Sequence, residues 1–342
     1  MTRKPPSFWN APLGASHPMA VMLTPLSWLW RLASGLRWRL VKPYRSALPV
    51  ICIGNLTVGG VGKTPFVLTL ALAAKAKGFS PVILMRGYGG RLTGPLFVTD
   101  QHTASDVGDE ALELKASCDM PVVVSRDRAA GAGLIETHQA GDLIIMDDGF
   151  QNPGLKYDQA VLVFAGETGI GNGGIVPSGP LRESLTKGLR RASHILIIGA
   201  DQHGLANRIH DLTPHLRPAY AHKGYNIKTC QLITDQTQSE GRLLAFAGIG
   251  RPQGFFDAIR HHGGNLVASL SFADHHPYSL KEWEHIISTA RANAARPVTT
   301  MKDYMRLSPS QQAMVTPLPL ELQIDDSTWI THLLEGLGED KT

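Results

Sequence analysis

No aspartate or glutamate occurs in the first 99 residues of this 342-residue chain, although that segment carries twelve lysines and arginines. Residues 100–342 hold 21 basic and 29 acidic side chains, a balance of −8, so the overall +4 conceals a front end that attracts anions. Nucleic acid, a phosphorylated substrate and an anionic membrane face all suit such a front end. Cysteine is scarce: Cys52, Cys118 and Cys230 lie far apart with no CxxC pair, which excludes a disulfide framework and a cysteine zinc site and fits a reducing compartment. A spanning-length apolar run is missing near the start, because Met19–Trp30 offers twelve uncharged residues where about 20 are needed. What is present is ordinary for a globular protein, 43% hydrophobic and 7% aromatic, on a chain long enough for two domains.

Placed on a helix, Leu26, Leu29, Ala33, Leu36 and Leu40 share one side, while Arg31, Trp38 and Lys42 lie on the other. With Trp28, Trp30 and Trp38 nearby, this pattern suits a helix lying in a lipid headgroup layer. The competing readings are an amphipathic helix packed on the protein's own core and a cleavable signal peptide.

The chemistry begins at "GNLTVGGVGKTP", Gly54 to Pro65. A phosphate-binding loop reads GxxxxGK[ST]; here Thr57 takes the first position, ahead of Gly59, Gly60, Val61, Gly62, Lys63 and Thr64. "PVICIGNL" before it reads as a buried strand and "FVLTLALAAKAKG" after it as a helix stopped by Gly78, with Pro65 in the first helical turn. In such a loop the backbone N–H groups and helix N-terminus hold phosphates, Lys63 reaches the outer two, and the Thr64 hydroxyl binds Mg2+. "DLIIMDDGFQ" ends a second strand in Asp147 and Asp148, where a carboxylate of either residue meets the metal of a bound nucleotide. Further strands in "VILMRGYGG", "VVVS", "VLVF" and "ILIIG" alternate with helical stretches. The expected fold is therefore α/β, a P-loop NTPase core with a mostly parallel sheet. "GIGNGG", Gly169 to Gly174, fits GxGxxG but precedes "IVPSGP", not a helix, so it is set aside as a dinucleotide site.

A kinase, a partition-type ATPase and a GTPase remain open at this point. "VGGVGKT" resembles the partition loop, but Val58 stands at that class's signature lysine; "TMKD", Thr300 to Asp303, approaches a guanine-reading motif without matching it. "MRGYGGR", "VGDEA", "DDGFQN", "NGGIVPSGPLRE", "AGIGRPQGFF", "FADHHPY" and "TMKD", in this order behind the phosphate loop, resemble the tetraacyldisaccharide 4'-kinases. That resemblance runs from about residue 7 to about 310, and a threonine at the first loop position is usual in the family.

The resemblance implies transfer of the ATP γ-phosphate, with Mg2+, to the 4'-hydroxyl of an acylated glucosamine disaccharide 1-phosphate, giving lipid IVA. It implies a peripheral or monotopic enzyme at the cytoplasmic face of the inner membrane, an anionic membrane surface as partner and no nucleic acid, and it leaves the oligomeric state open. By resemblance Asp109 is the base, paired with His275 or His276, and Arg182 stabilises phosphate. Arg86, Tyr88, Arg91 and Glu110 are the candidate substrate contacts. Met301 stands where the family usually has glutamate, and Gly174 where a larger residue is common. The expected organisation is a membrane-associated helix over 1–46, a P-loop core over 47–230 and a smaller α/β domain over 240–342, with "TDQTQSEGR", Thr234 to Arg242, as linker.

Overall fold

A strand that is apolar at every position needs cover on both faces, and Val50–Gly54 (β1) has it, with all five residues buried. The computed structural model describes residues 5–14, 17–225, 241–250, 252–261, 263–274, 276–326 and 328–337. Of the expected linker Thr234 to Arg242, all but Gly241 and Arg242 lies outside them.

The chain opens with a helix at Pro18–Leu40 (α1). After β1, the alternation runs Lys63–Ala76 (α2), Pro81–Met85 (β2), Leu96–Phe97 (β3), Ala104–Val107 (α3), Asp109–Ser117 (α4), Val122–Val124 (β4), Arg128–Thr137 (α5) and Leu143–Asp147 (β5). It continues through Gln159–Ala165 (β6), Leu185–Leu189 (α6), His194–Ile198 (β7), Leu205–Leu212 (α7) and Pro218–Tyr225 (β8). Among the described residues these strands, joined by Leu320–Ile324 (β13), form one sheet in the order β13-β8-β7-β6-β1-β5-β2-β4-β3. Every pairing from β8 to β4 is parallel, and only the two edge strands run antiparallel.

Two apolar clusters cover the sheet. Phe66, Val67 and Leu70 of α2 pack with Ile51, Ile83 and Val161 on one face, and Phe150, Leu162 and Ile195 pack on the other. β1 sits between β5 and β6, with β2 beyond β5 and β7 beyond β6. The chain crosses from β1 to β2 on one side and from β5 past β1 to β6 on the other, and the cleft opened there at the carboxyl ends of the strands is where an α/β sheet binds ligands.

A second sheet, order β10-β9-β11-β12, is wholly parallel. It comprises Arg242–Ala247 (β9), Pro252–His261 (α8), Asn265–Ser271 (β10), Leu280–Ala292 (α9), Arg296–Thr300 (β11), Met301–Tyr304 (α10), Pro309–Gln312 (α11) and Thr316–Leu318 (β12). Sheet membership then departs from the expected grouping of 240–342. Leu320–Ile324 (β13) pairs antiparallel with β8 of the large sheet, and Trp329–Glu335 (α12) sets Trp329 5.9 Å from Phe66 of α2. The physical reason is the exposed edge of β8, which offers a row of backbone groups that a returning strand can satisfy.

α1 bears on the rest of the protein along one side. Its docked side is narrow: Ser27 is buried, and its Oγ donates to the Ile175 carbonyl at 2.7 Å. The leucine side faces away, with Leu29 62% and Leu40 74% exposed, so the core-packing alternative does not hold for it. Among the described residues no helix is long and apolar enough to cross a membrane.

Candidate active site

Leaving β1 at Gly54, the chain turns through Asn55–Gly62 into α2, whose first residue is Lys63. Gly62 has φ +94°, a left-handed angle that a side chain would strain, and it aims the first α2 amides back over the strand ends. A Cβ built on Gly59 or Gly60 would meet nothing within 4 Å, so the loop's backbone borders open space. Thr57 is not among the residues with positive φ, and it pairs with Leu181 in an isolated bridge. An ordinary backbone at that position explains why glycine is not required there.

Lys63 Nζ lies 3.1 Å from Asn55 Oδ1 and 3.4 Å from Asp148 Oδ1. Arg182 reaches the same carboxylate, with Nη1 at 3.1 and 3.2 Å from its two oxygens, and also donates to Gln151 Oε1 at 3.2 Å. Burial alone would push the Asp148 carboxyl up, but Lys63 and Arg182 outweigh it and hold it below the usual range. Asp148 also adopts φ +47°, unusual for a side-chain-bearing residue and a form of strain that persists where surrounding structure enforces it. Two cations converging on one strained carboxylate at the ends of β1 and β5 are arranged to receive a polyanion.

Asp147, the last residue of β5, behaves differently. It is 3% exposed, its Oδ1 has no hydrogen-bond partner among the described residues, and burial pushes its carboxyl up to about 7 against the pull of Lys63. Beneath it the buried Arg128 donates to the Ser125 carbonyl at 2.6 Å and the Asp147 carbonyl at 3.3 Å, fixing the backbone that carries the pair.

Asp109 and Glu110 open α4, where acidic groups favour the helix N-terminus. Gly108 precedes them with φ +89°, and a Cβ there would collide with the Tyr88 carbonyl oxygen, so the turn demands glycine. Asp109 is 6% exposed; its Oδ1 accepts the Glu110 N–H at 3.0 Å and its Oδ2 is held by Arg306 Nε at 2.9 Å and by Nη2. Glu110 meets Lys302 Nζ at 3.3 Å. Both contacts join the large sheet's lobe to the small one. His276 Nε2 pairs with Glu282 Oε1 at 2.9 Å, beside the ring of Phe272, and His275 lies outside the described residues.

The remaining candidates differ in exposure. Arg91 is tied to Asp106 at 2.7 Å, and Asp106, itself bonded to Thr103, is held well below the usual carboxylate range. Arg86 is exposed beside the carboxyl end of β2, and Tyr88 is 68% exposed. Thr64, Glu113 and Met301 line one narrow cleft, so the methionine that replaces the family's glutamate lies beside the nucleotide helix. Gly174 is enclosed within its own loop, its carbonyl accepting the Leu181 N–H at 2.9 Å.

Sequence reasoning missed Asn55, Gln151 and Arg306. Only Arg306 had a readable signal, a cation one helical turn beyond Asp303. Asp303 is fully buried and accepts from Gly248 N at 3.0 Å, Tyr278 Oη at 2.9 Å, Thr300 Oγ1 at 2.7 Å and Arg306 Nη1 at 2.9 Å. Asp303→Ala therefore leaves a nearly buried guanidinium with one carboxylate fewer, at a cost of about 3–5 kcal/mol. Chemical denaturation reads that loss as a lower midpoint with an unchanged slope; a shift under 1 kcal/mol would remove Asp303 as the organiser of this lobe contact.

A family model described as tetraacyldisaccharide-1-P 4'-kinase matches residues 19–338. A tetraacyldisaccharide 4'-kinase of Rhodospirillum centenum is 42% identical over 341 residues, covering 99% of this chain and 98% of the relative. One from Parvibaculum lavamentivorans is 43% identical over 312 residues, covering 89% and 86%. Among solved structures, the LpxK of Aquifex aeolicus in complex with ATP superposes with a TM-score of 0.72 at 24% identity, covering 93% of this chain and 99% of that one. That likeness carries the fold.

Proposed function

Because the chain belongs to the tetraacyldisaccharide 1-phosphate 4'-kinase family, we propose that it transfers the γ-phosphate of ATP to the 4'-hydroxyl of an acylated glucosamine disaccharide 1-phosphate through the residues gathered at the ends of β1 and β5. The product is lipid IVA, and the reaction is a step of lipid A biosynthesis. The observation that carries the residue assignment is the convergence of Lys63 and Arg182 on Asp148.

Phosphoryl transfer needs positioning and charge neutralisation more than covalent chemistry from the protein. The α2 N-terminus and the loop amides of Gly59, Gly60, Val61 and Gly62 cradle the outer phosphates. Lys63 and Arg182, held beside Asp148, meet the transferring group as charge spreads over it. Asp109, at the N-terminus of α4, accepts the proton of the 4'-hydroxyl. His276 lies in the small lobe that approaches Asp109 through Arg306, and His275 stays the alternative partner. Arg86 and Tyr88, exposed at the same sheet edge, are available to the disaccharide, and Glu110 helps seat it.

The donors fit magnesium. Thr64 supplies a hydroxyl, Asp147 a carboxylate oxygen without a partner among the described residues, and Asp148 a second carboxylate, which matches an ion that takes one or two carboxylates and completes its shell with water and phosphate. When bound, Mg2+ supplies charge neutralisation between the outer phosphates. A pH dependence follows from Asp147. Its folded pKa of about 7 exceeds the unfolded value of about 3.9, so the folded protein binds the extra proton and loses stability as pH rises from about 4 to about 7. Metal-free Asp147→Asn is therefore expected to melt above the metal-free wild type at pH 8 and level with it at pH 4. Equal melting temperatures at pH 8 would contradict a strained carboxyl there.

We place the protein at the cytoplasmic face of the inner membrane, held by the outward side of α1. Leu29, Leu36 and Leu40 are exposed together with Arg31, Arg37 and Arg39, an apolar stripe with cations beside it. Leu29→Glu and Leu36→Glu are each expected to weaken binding to anionic vesicles about tenfold or more. Binding should also fall as salt rises; unaltered cosedimentation of both variants would refute this orientation.

The test of the reaction is transfer of labelled γ-phosphate to a 1-phosphorylated tetraacyl disaccharide. Label released only as free phosphate, independent of the lipid acceptor, would favour a partition-type ATPase instead.

A further inference from the structure

The segment Ile175–Glu183 has two sides, and each is bonded to a different part of the machinery. On one side Val58 N donates to the Pro180 carbonyl at 2.8 Å, Arg182 N donates to the Leu56 carbonyl at 2.7 Å, and Thr57 bridges Leu181. On the other side Ser27 of α1 bonds the Ile175 carbonyl, and the Trp30 indole N–H donates to the Arg182 carbonyl at 3.0 Å. A second path leaves α1 at Trp38. The Arg191 guanidinium lies 4.5 Å from the Trp38 ring and 4.5 Å from the Phe150 ring, sandwiched between them. Arg191 Nη2 donates to Glu183 Oε1 at 2.7 Å; Gln151 Nε2 reaches the same oxygen at 3.3 Å while its Oε1 accepts from Arg182.

We propose that α1 is a positioning element for the phosphate site: Trp30 fixes the backbone of Arg182, and Trp38, through Arg191, Glu183 and Gln151, fixes its guanidinium against Asp148. The inference rests on Arg182 acting in transfer, as assigned above. Membrane contact then has a mechanical consequence. Whatever orders α1 on the lipid surface also orders the arginine that meets the transferring phosphate, so the phosphate site is completed where the lipid substrate resides. Trp38 is suited to this because its ring is partly buried against the protein, while the leucines of α1 face outward.

The experiment is a double-mutant cycle on the full chain, with ATP and detergent-dispersed tetraacyl disaccharide 1-phosphate, measuring kcat, both KM values and vesicle binding. Trp38→Leu and Trp30→Phe, which remove the ring over Arg191 and the indole donor, are each expected to lower kcat about fivefold to tenfold. Vesicle binding by Trp38→Leu should stay within about twofold of wild type, and Trp38→Phe, which restores a ring over the guanidinium, should recover most of kcat. In an Arg182→Gln background, Trp38→Leu should change kcat by less than about twofold, because the element it positions is gone. An equal loss in both backgrounds would overturn the coupling alone, as would wild-type kcat for Trp38→Leu. Wild-type transfer by Arg182→Gln would overturn the role of Arg182 together with the coupling that ends on it.

Discussion

Lys63→Ala is expected to lower kcat for 4'-phosphate transfer by about 10²–10³, the scale of removing one fixed charge donor from a developing anion. Lys63 is suited to that role by its constraints. It is the first residue of α2, its side chain is 13% exposed, and its ammonium is already held between Asn55 Oδ1 and Asp148 Oδ1. A cation held this way reorganises little when phosphates arrive, so its contribution is realised at the transition state. The same network makes Lys63→Arg a poor substitute. A planar fork does not reproduce a point charge in a space shared with Arg182. The measurement is single-turnover transfer of labelled γ-phosphate at saturating ATP, with KM for ATP alongside. A variant within tenfold of wild type would mean that Arg182 and bound metal carry the charge without Lys63, and the site assignment would have to move.

The nucleotide half of this site was legible in the sequence because its determinants are local. A buried strand, a glycine turn, Lys63-Thr64 and a helix follow one another within some twenty-five residues, and an apolar strand ending in paired aspartates announces itself by the abrupt change of polarity. Thr57 looked like a departure only while the first loop position was presumed to need glycine. The pieces that stayed hidden are non-local. Arg306 and Asp109 are 197 positions apart and meet only because two sheets approach each other. Gln151 and Asn55 are short polar residues with nothing in their spacing to mark them as bridges. β13 alternates apolar and polar at every position, Leu320 to Ile324, but that pattern does not say which sheet it joins; the antiparallel pairing with β8 is a choice made by the open edge of β8. Asp303, read from sequence as part of a near-miss for guanine recognition, proves to be a buried acceptor for four groups, which tertiary contact alone decides.

Asp109→Asn is expected to lower kcat by about 10²–10⁴ with KM for ATP little changed, because it removes a proton acceptor and leaves the nucleotide loop alone. Two effects compete to explain any loss at this position, and they separate in measurement. Asp109 is also a partner of Arg306, so the substitution weakens a contact between lobes and should cost about 1–3 kcal/mol of stability, with Arg306 keeping Asp303 and the Gly248 carbonyl at 2.9 and 3.0 Å. Asparagine retains one acceptor oxygen and the shape of the side chain, which keeps the fold intact enough for kinetics. Arg306→Gln supplies the comparison: it breaks the same lobe contact while leaving the carboxylate in place. If Asp109 is the base, Asp109→Asn loses far more kcat than Arg306→Gln at similar loss of stability. If the two variants lose stability and kcat in the same proportion, Asp109 is a clamp between the lobes, and the proton of the 4'-hydroxyl leaves by another group.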